Sequence, residues 1–247
     1  MDNQTIWLYL FYAAIAIIVI FCLLIVIASA RVAGANDVPI ETQELDISSL
    51  KTGDILGVSY NHPFGWFVSS FFSSIWSHCS VIWKDPSTGQ LYVLEGGNYD
   101  KQYRGIVKMP ISTWLKFNRK SYLGLSRINK EVDANKLIES FNIHAKYMKL
   151  DSFNYKWYRL LYKQDYFKQD REKFTCYEML ITILQDADVI EKKYACSSYS
   201  PSEIMEGELD FCDGYYLEPP VCLDISEYNN LRLGDDSNYN SNRGGCC

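Results

Sequence analysis

An uncharged apolar segment near the N terminus is the strongest constraint on this sequence. No residue from Asn3 to Ala30 carries a charge, and residues 8–27 read LYLFYAAIAIIVIFCLLIVI. About 20 residues at a helical rise of ~1.5 Å span roughly 30 Å, the thickness of the hydrocarbon core of a bilayer. Trp7 and Tyr9 lie at one end, where aromatic side chains favour the headgroup region. We therefore predict that residues 1–31 form a single-pass transmembrane anchor.

A cleaved signal peptide is the alternative interpretation, because Ala28-Ser29-Ala30 resembles a signal-peptidase site. The apolar run is longer than the hydrophobic region of a signal peptide, and no Lys or Arg precedes it. Arg31 is the only basic side chain close to either end of the segment. The positive-inside rule therefore predicts that the body of the protein lies on the cytosolic, reducing side, which also suits cysteines without disulfide-like spacing.

The rest of the chain has the composition of a folded domain. Of the 247 residues, 48% are hydrophobic and 22% are charged, which excludes a mainly disordered chain. The net charge is −6 without a Lys/Arg cluster, so we expect no nucleic-acid partner. Eight cysteines without a CxxC pair predict neither a disulfide scaffold nor a zinc site. Because GxGxxG and P-loop motifs are also lacking, we expect no cofactor.

Three regions follow the anchor. Residues 32–50 are predicted to be a polar juxtamembrane linker, residues 51–228 one domain without internal repeats, and residues 229–247 a disordered tail. The tail ends in Gly-Gly-Cys-Cys, so lipidation of Cys246 and Cys247 is one interpretation. An unmodified tail is favoured, because the C-a-a-X pattern is absent and an anchor is already present.

Helices and antiparallel strands are segregated along the domain, which is typical of an α+β fold. Short apolar runs between turn residues predict strands at 55–58, 77–83, 91–95, 105–109 and 122–127, and a closing strand at 215–217. Apolar periodicity and capping signals predict helices at 64–76, 110–117, 133–146 and 174–184, and a short one from residue 200.

Three polar residues lie where an apolar pattern would not place them. His78 begins a strand, Glu95 ends the strand paired with it, and Cys176 lies in the first turn of an apolar helix. The positive end of a helix dipole favours a thiolate, a neighbouring imidazole stabilises that thiolate, and a carboxylate orients the imidazole. The residue types alone are equally compatible with a core histidine, a turn acid and an inert buried thiol.

Four motifs in order resemble the permuted NlpC/P60 papain-like superfamily: LKTGDIL (50–56), SHCSVI (77–82), VLEG (93–96) and FTCYEML (174–180). A later SPSEI (200–204) resembles the closing motif of that superfamily. The likeness is narrower to the YaeF/YiiX-type amidases, which include proteins of poxviruses and other large DNA viruses. It covers about residues 50–220 and excludes both the anchor and the tail.

The resemblance implies a circularly permuted papain-like domain in which Cys176 is the nucleophile, His78 the base and Glu95 the orienting acid. It implies cleavage of an amide or isopeptide bond, in a peptide, isopeptide or lipid-amide substrate, through a thioester on Cys176. Lipid acyl hydrolysis or transfer at the bilayer is an alternative activity. A catalytically idle, membrane-tethered binding module is the alternative from outside the enzymes.

The other polar candidates are interpreted as structural. We expect Asp54 to cap the Gly-Asp turn, His62 to be a surface residue of a loop, and His144 to be structural or exposed. Backbone N–H groups near Cys176 are better oxyanion donors than Gly96-Gly97.

Overall fold

The computed structural model describes residues 5–16, 18–19, 41–60, 74–147, 149–150, 165–166 and 173–229. Residues 5–16 and 18–19 are helical, and their large apolar side chains, such as Trp7 and Phe11, are exposed. Among the described residues, no helix is both long enough and apolar enough to cross a membrane. The predicted transmembrane anchor is thus unsupported, and its residues 20–31 lie outside the described ranges.

A seven-stranded sheet forms the centre of the described domain, in the order β1-β9-β6-β2-β3-β4-β5. Neighbouring strands are antiparallel, except that β1 and β9 are parallel. The other two strands, β7 and β8, form a short parallel pair of their own. The strands are β1 (Thr42–Glu44), β2 (Ile55–Ser59), β3 (His78–Lys84), β4 (Leu91–Asn98), β5 (Arg104–Pro110), β6 (Tyr122–Ser126), β7 (Lys149–Leu150), β8 (Lys173–Phe174) and β9 (Val221–Asp224).

Helices pack on both faces of this sheet. Those of the domain are α1 (Ile111–Asn118), α2 (Ala134–Tyr147), α3 (Cys176–Asp186), α4 (Pro201–Met205) and α5 (Ser226–Asn229). Two short 3-10 turns, Ile47–Ser49 and Cys196–Ser198, complete the regular structure of the described domain. The mixture of antiparallel strands and segregated helices confirms the predicted α+β class.

The two faces of the sheet carry separate hydrophobic cores. Along β3, Val81 and Trp83 pack into the core that contains α3, whereas Ile82 packs into the core that contains Trp114 of α1. This alternation follows from the two-residue period of side chains along a strand. Helices α1 and α3 therefore approach the sheet from opposite sides.

Most predicted elements are present with ends shifted by a few residues, but the sheet closes differently. The closing strand is β9 rather than residues 215–217, of which Leu217 forms only an isolated bridge. Residues 42–44, predicted as linker, form β1, because β9 supplies a partner that their short polar sequence does not reveal. Residues 64–73 of a predicted helix and residues 230–247 of the predicted tail lie outside the described ranges.

Trp76 fixes the chain just before it enters β3. Its buried indole packs on Gly57 of β2 and Gly124 of β6, which are paired across the two strands. A Cβ atom at either glycine would collide with the indole. The Ser77 hydroxyl also donates to a backbone carbonyl of β2 at 3.1 Å. The start of β3, where His78 lies, is thereby attached to its neighbouring strand.

Candidate active site

The paired strands β3 and β4 bring His78 and Glu95 into contact. His78 Nε2 lies 2.8 Å from Glu95 Oε2, and both side chains are 0% exposed. A turn at residues 85–89 joins the strands, so their antiparallel pairing places the first residue of β3 beside the later part of β4. Two of the three residues predicted for the site are therefore hydrogen-bonded partners in the interior.

The third residue, Cys176, lies in the first turn of α3. Thr175 precedes the helix as its N-cap, and Glu178 Oε2 accepts hydrogen bonds from the Thr175 N–H at 2.7 Å and from its hydroxyl at 3.0 Å. This confirms the predicted capping box. The position at the helix N terminus favours the thiolate form of a cysteine.

The protonation of His78 depends on both of its neighbours. Burial by itself lowers the pKa of His78, but the charge of a Cys176 thiolate, the charge of Glu95 and hydrogen bonds to both groups raise that pKa to about 10. The imidazole is thus protonated at neutral pH when the thiol is ionised. Because Glu95 occupies Nε2, Nδ1 is the ring nitrogen left for Cys176.

Aromatic side chains enclose the His78–Glu95 pair. Trp114 Nε1 donates to Glu95 Oε2 at 2.9 Å, and the Tyr60 ring centroid lies 5.8 Å from that of the imidazole. The hydroxyls of Tyr60 and Tyr99 are 3.4 Å apart. Burial, assisted by the charge of Glu95, raises the pKa of Tyr99 far above its ordinary value, so this phenol stays neutral. None of these aromatic residues was predicted from the sequence, because each fits an apolar pattern.

Gly97 allows the Glu95 carboxylate to lie close to the backbone. A Cβ atom at this position would lie 3.0 Å from Glu95 Oε1 and 2.6 Å from Tyr99 Cε2. The glycine therefore makes room for the Glu95 carboxylate.

The other polar candidates have structural surroundings. Asp54 is buried and accepts hydrogen bonds from two backbone N–H groups at 3.1 Å each, which confirms its role in the turn. His144 is buried as well, and its Nε2 lies 2.8 Å from Asp186 Oδ2, which links α2 to α3. His62 and the terminal cysteines lie outside the described ranges. Within those ranges, no group of three or more His, Cys, Asp or Glu side chains is arranged to hold a metal ion.

The comparisons with known proteins show a distant likeness to a solved structure. No family model and no curated protein matches this sequence. Among solved structures, the chain is similar to the metalloprotein YiiX from Escherichia coli O157:H7, with a TM-score of 0.42 and 16% sequence identity. The match covers 56% of this chain and 66% of YiiX, slightly less than two thirds of its length. A likeness at this level assigns neither a family nor an activity to this chain.

Proposed function

We propose that this protein is a papain-like cysteine hydrolase that cleaves an amide or isopeptide bond. The observation that carries the proposal is the buried His78–Glu95 pair, with its contact of 2.8 Å, beside the thiol at the start of α3. Burial of two ionisable groups is costly, and packing alone does not require it. Catalysis by a papain-like cysteine, in contrast, uses an imidazole between a thiol and an orienting polar group.

The proposed reaction starts from a thiolate on Cys176 and an imidazolium on His78. The thiolate attacks the carbonyl carbon of the substrate, and backbone N–H groups at the start of α3 donate to the oxyanion. His78 then gives its proton to the leaving amine, and the acyl group remains on Cys176 as a thioester. His78 removes a proton from water, which cleaves the thioester and regenerates the thiolate–imidazolium pair. Glu95 holds the ring in one orientation through its contact with Nε2.

We further propose that the apolar N-terminal segment attaches the domain to a membrane as a single-pass anchor, with the domain on the cytosolic side. The exposed apolar side chains among residues 6–16 and 18–19 support this, since Trp7 alone is 71% exposed. The same surface favours lipid acyl hydrolysis or transfer as a second candidate activity. A catalytically idle binding module would not need Cys176, His78 and Glu95 together.

Labelling with an electrophilic acyl probe tests the proposed function. The full-length protein is incubated with the probe, and the modified cysteine is located by mass spectrometry. We expect modification of Cys176, whereas Cys196, a thiol that is equally buried, serves as the internal control and remains unmodified. Modification confined to other cysteines would contradict the proposal. A comparison of the turnover rate on peptide amides with the turnover rate on acyl lipids then distinguishes the two candidate activities.

A further inference from the structure

Trp114 contacts the candidate active site through the orienting acid. Its indole is 0% exposed and donates from Nε1 to Glu95 Oε2 at 2.9 Å. The same oxygen lies 2.8 Å from His78 Nε2. Within the described part of the chain, no donor forms a hydrogen bond with Glu95 Oε1. The hydrogen bonding of this buried carboxylate thus depends on Trp114 as much as on His78.

Neighbouring contacts hold the indole in place. Helix α1 begins directly after β5 and packs against β4 and β5, which brings Trp114 close to Glu95 of β4. Asn118 Nδ2 donates to the Trp114 carbonyl at 3.0 Å and to the Tyr99 hydroxyl at 3.3 Å. The ring of Tyr99 in turn stacks on Phe117 with centroids 4.8 Å apart. Helix α1 and the turn after β4 therefore form one packed unit around the carboxylate.

We propose that Trp114 is a positioning residue, whose indole N–H holds the Glu95 carboxylate where it accepts from His78 Nε2 and stabilises the imidazolium. This inference rests on the proposed function, in which His78 must be the proton donor. A hydrogen bond donated to a buried carboxylate stabilises its charged form. Without that bond, the carboxylate can turn away from the imidazole, and the imidazolium that stabilises the Cys176 thiolate is itself less stable.

Within the residues that the structure describes, two tyrosines are the other titratable groups named near the carboxylate. Besides His78 from β3, Tyr99 approaches from the turn after β4, and Tyr60 reaches it through the Tyr99 hydroxyl. Burial, together with the Glu95 charge, raises the pKa of Tyr99, so this phenol does not titrate in the neutral range. Helix α1 presents the neutral indole of Trp114. A change in the pH dependence of Cys176 alkylation at acidic pH therefore reports on the site formed by Cys176, His78 and Glu95.

The test compares Trp114→Phe with Trp83→Phe in the full-length protein. Both changes remove one indole N–H donor, but Trp83 is buried elsewhere and donates to the Ala134 carbonyl at 2.9 Å. The rate of alkylation of Cys176 by iodoacetamide is measured against pH, with the site confirmed by mass spectrometry. We expect Trp114→Phe to raise the midpoint of the acid limb by about one pH unit and to slow alkylation at acidic pH about tenfold. Trp83→Phe should keep the wild-type profile.

The outcomes separate this inference from the proposed function. A wild-type midpoint near that of a free thiol, about 8.5, would contradict the proposed function itself. A low wild-type midpoint that Trp114→Phe leaves unchanged would overturn the positioning role alone, even if both tryptophan variants lose thermal stability. If Trp114→Phe does not fold, the alkylation experiment is replaced by NMR of the six tryptophan indole N–H groups in the wild-type protein and in Glu95→Gln. Glu95→Gln should then shift one indole resonance, and six unshifted resonances would overturn the inference.

Discussion

At the scale of single residues, the proposed mechanism gives Cys176, His78 and Glu95 effects of different size. Cys176→Ala should reduce turnover to background, since no thioester can form. His78→Ala should move the pH dependence of labelling toward that of a free thiol, about 8.5. Glu95→Gln retains an oxygen that accepts from the imidazole, so we expect a loss of about 10- to 100-fold, or ~1.4–2.7 kcal/mol. Measured kcat/KM values rank the three, and wild-type turnover by Cys176→Ala would contradict the mechanism.

The site residues differ in how far the sequence reveals them. His78 and Glu95 interrupt apolar strand patterns, and Cys176 follows a capping signal, so local sequence identifies all three as candidates. Trp114 occupies an apolar helical position, where an indole is typical of ordinary core packing. The partner of its N–H depends on how α1 packs against β4, which is a tertiary contact that no local pattern encodes.

At the scale of secondary-structure elements, Trp76 couples β2 and β6 to the start of β3. Gly124→Ala places a Cβ atom against the indole, and overpacking of this kind destabilises by about 1–3 kcal/mol. Tyr122→Ser, at a position 71% exposed in the same strand, is the control and should cost less than ~1 kcal/mol. Urea denaturation measures both free energies of unfolding. Equal values for the two variants would show that the indole accommodates the added methyl group.

The N-terminal segment gives a second prediction at this scale. If residues 5–30 span a bilayer, the full-length protein should remain in the membrane pellet after a carbonate wash. The burial of an uncharged apolar segment in the bilayer does not depend on pH, so the alkaline wash should not release it. A chain that begins at Val38 should be soluble. Release of the full-length protein by carbonate would exclude an integral anchor.

The elements also show where prediction from sequence succeeds. Strands β2, β3 and β4 carry several apolar residues between clear turn signals, and their predicted positions agree with the structure. Strands β1 and β9 contain only TQE and VCLD, and each pairs with a segment from the other end of the domain. Such long-range pairing depends on the assembled sheet, so the local sequence did not reveal it.

At the scale of the whole molecule, the protonation of His78 makes folding stability depend on pH. Burial opposes the charged ring, but Cys176 and Glu95 raise its pKa to about 10, against about 6.5 in an unfolded chain. Between these values His78 itself carries more protons in the folded protein than in the unfolded chain, so its own contribution to the free energy of unfolding falls as pH rises. The contribution of His78 is complete below pH ~6.5 and is lost as pH rises through about 10.

Thermal unfolding measured across this pH range tests that dependence. We expect Tm of the wild-type protein to fall more steeply between pH ~7 and ~10 than Tm of His78→Gln, which cannot take up the proton. Parallel curves for the two proteins would mean that His78 makes no such contribution.

The parallel pairing of β1 with β9 determines how a mechanical load would enter the domain. Thr42 pairs with Cys222 and Glu44 with Asp224, and backbone hydrogen bonds of 2.9 Å and 3.1 Å extend the pair at its two ends. A pull on the N-terminal side of β1, against the C-terminal side of β9, would slide these strands along each other. Their hydrogen bonds lie across the direction of force and share it, so they must break together. A tether through the N-terminal segment, opposed by a pull on the C-terminal side of β9, would thus load the sheet in shear. Two strands as short as β1 and β9 resist separation best in this direction.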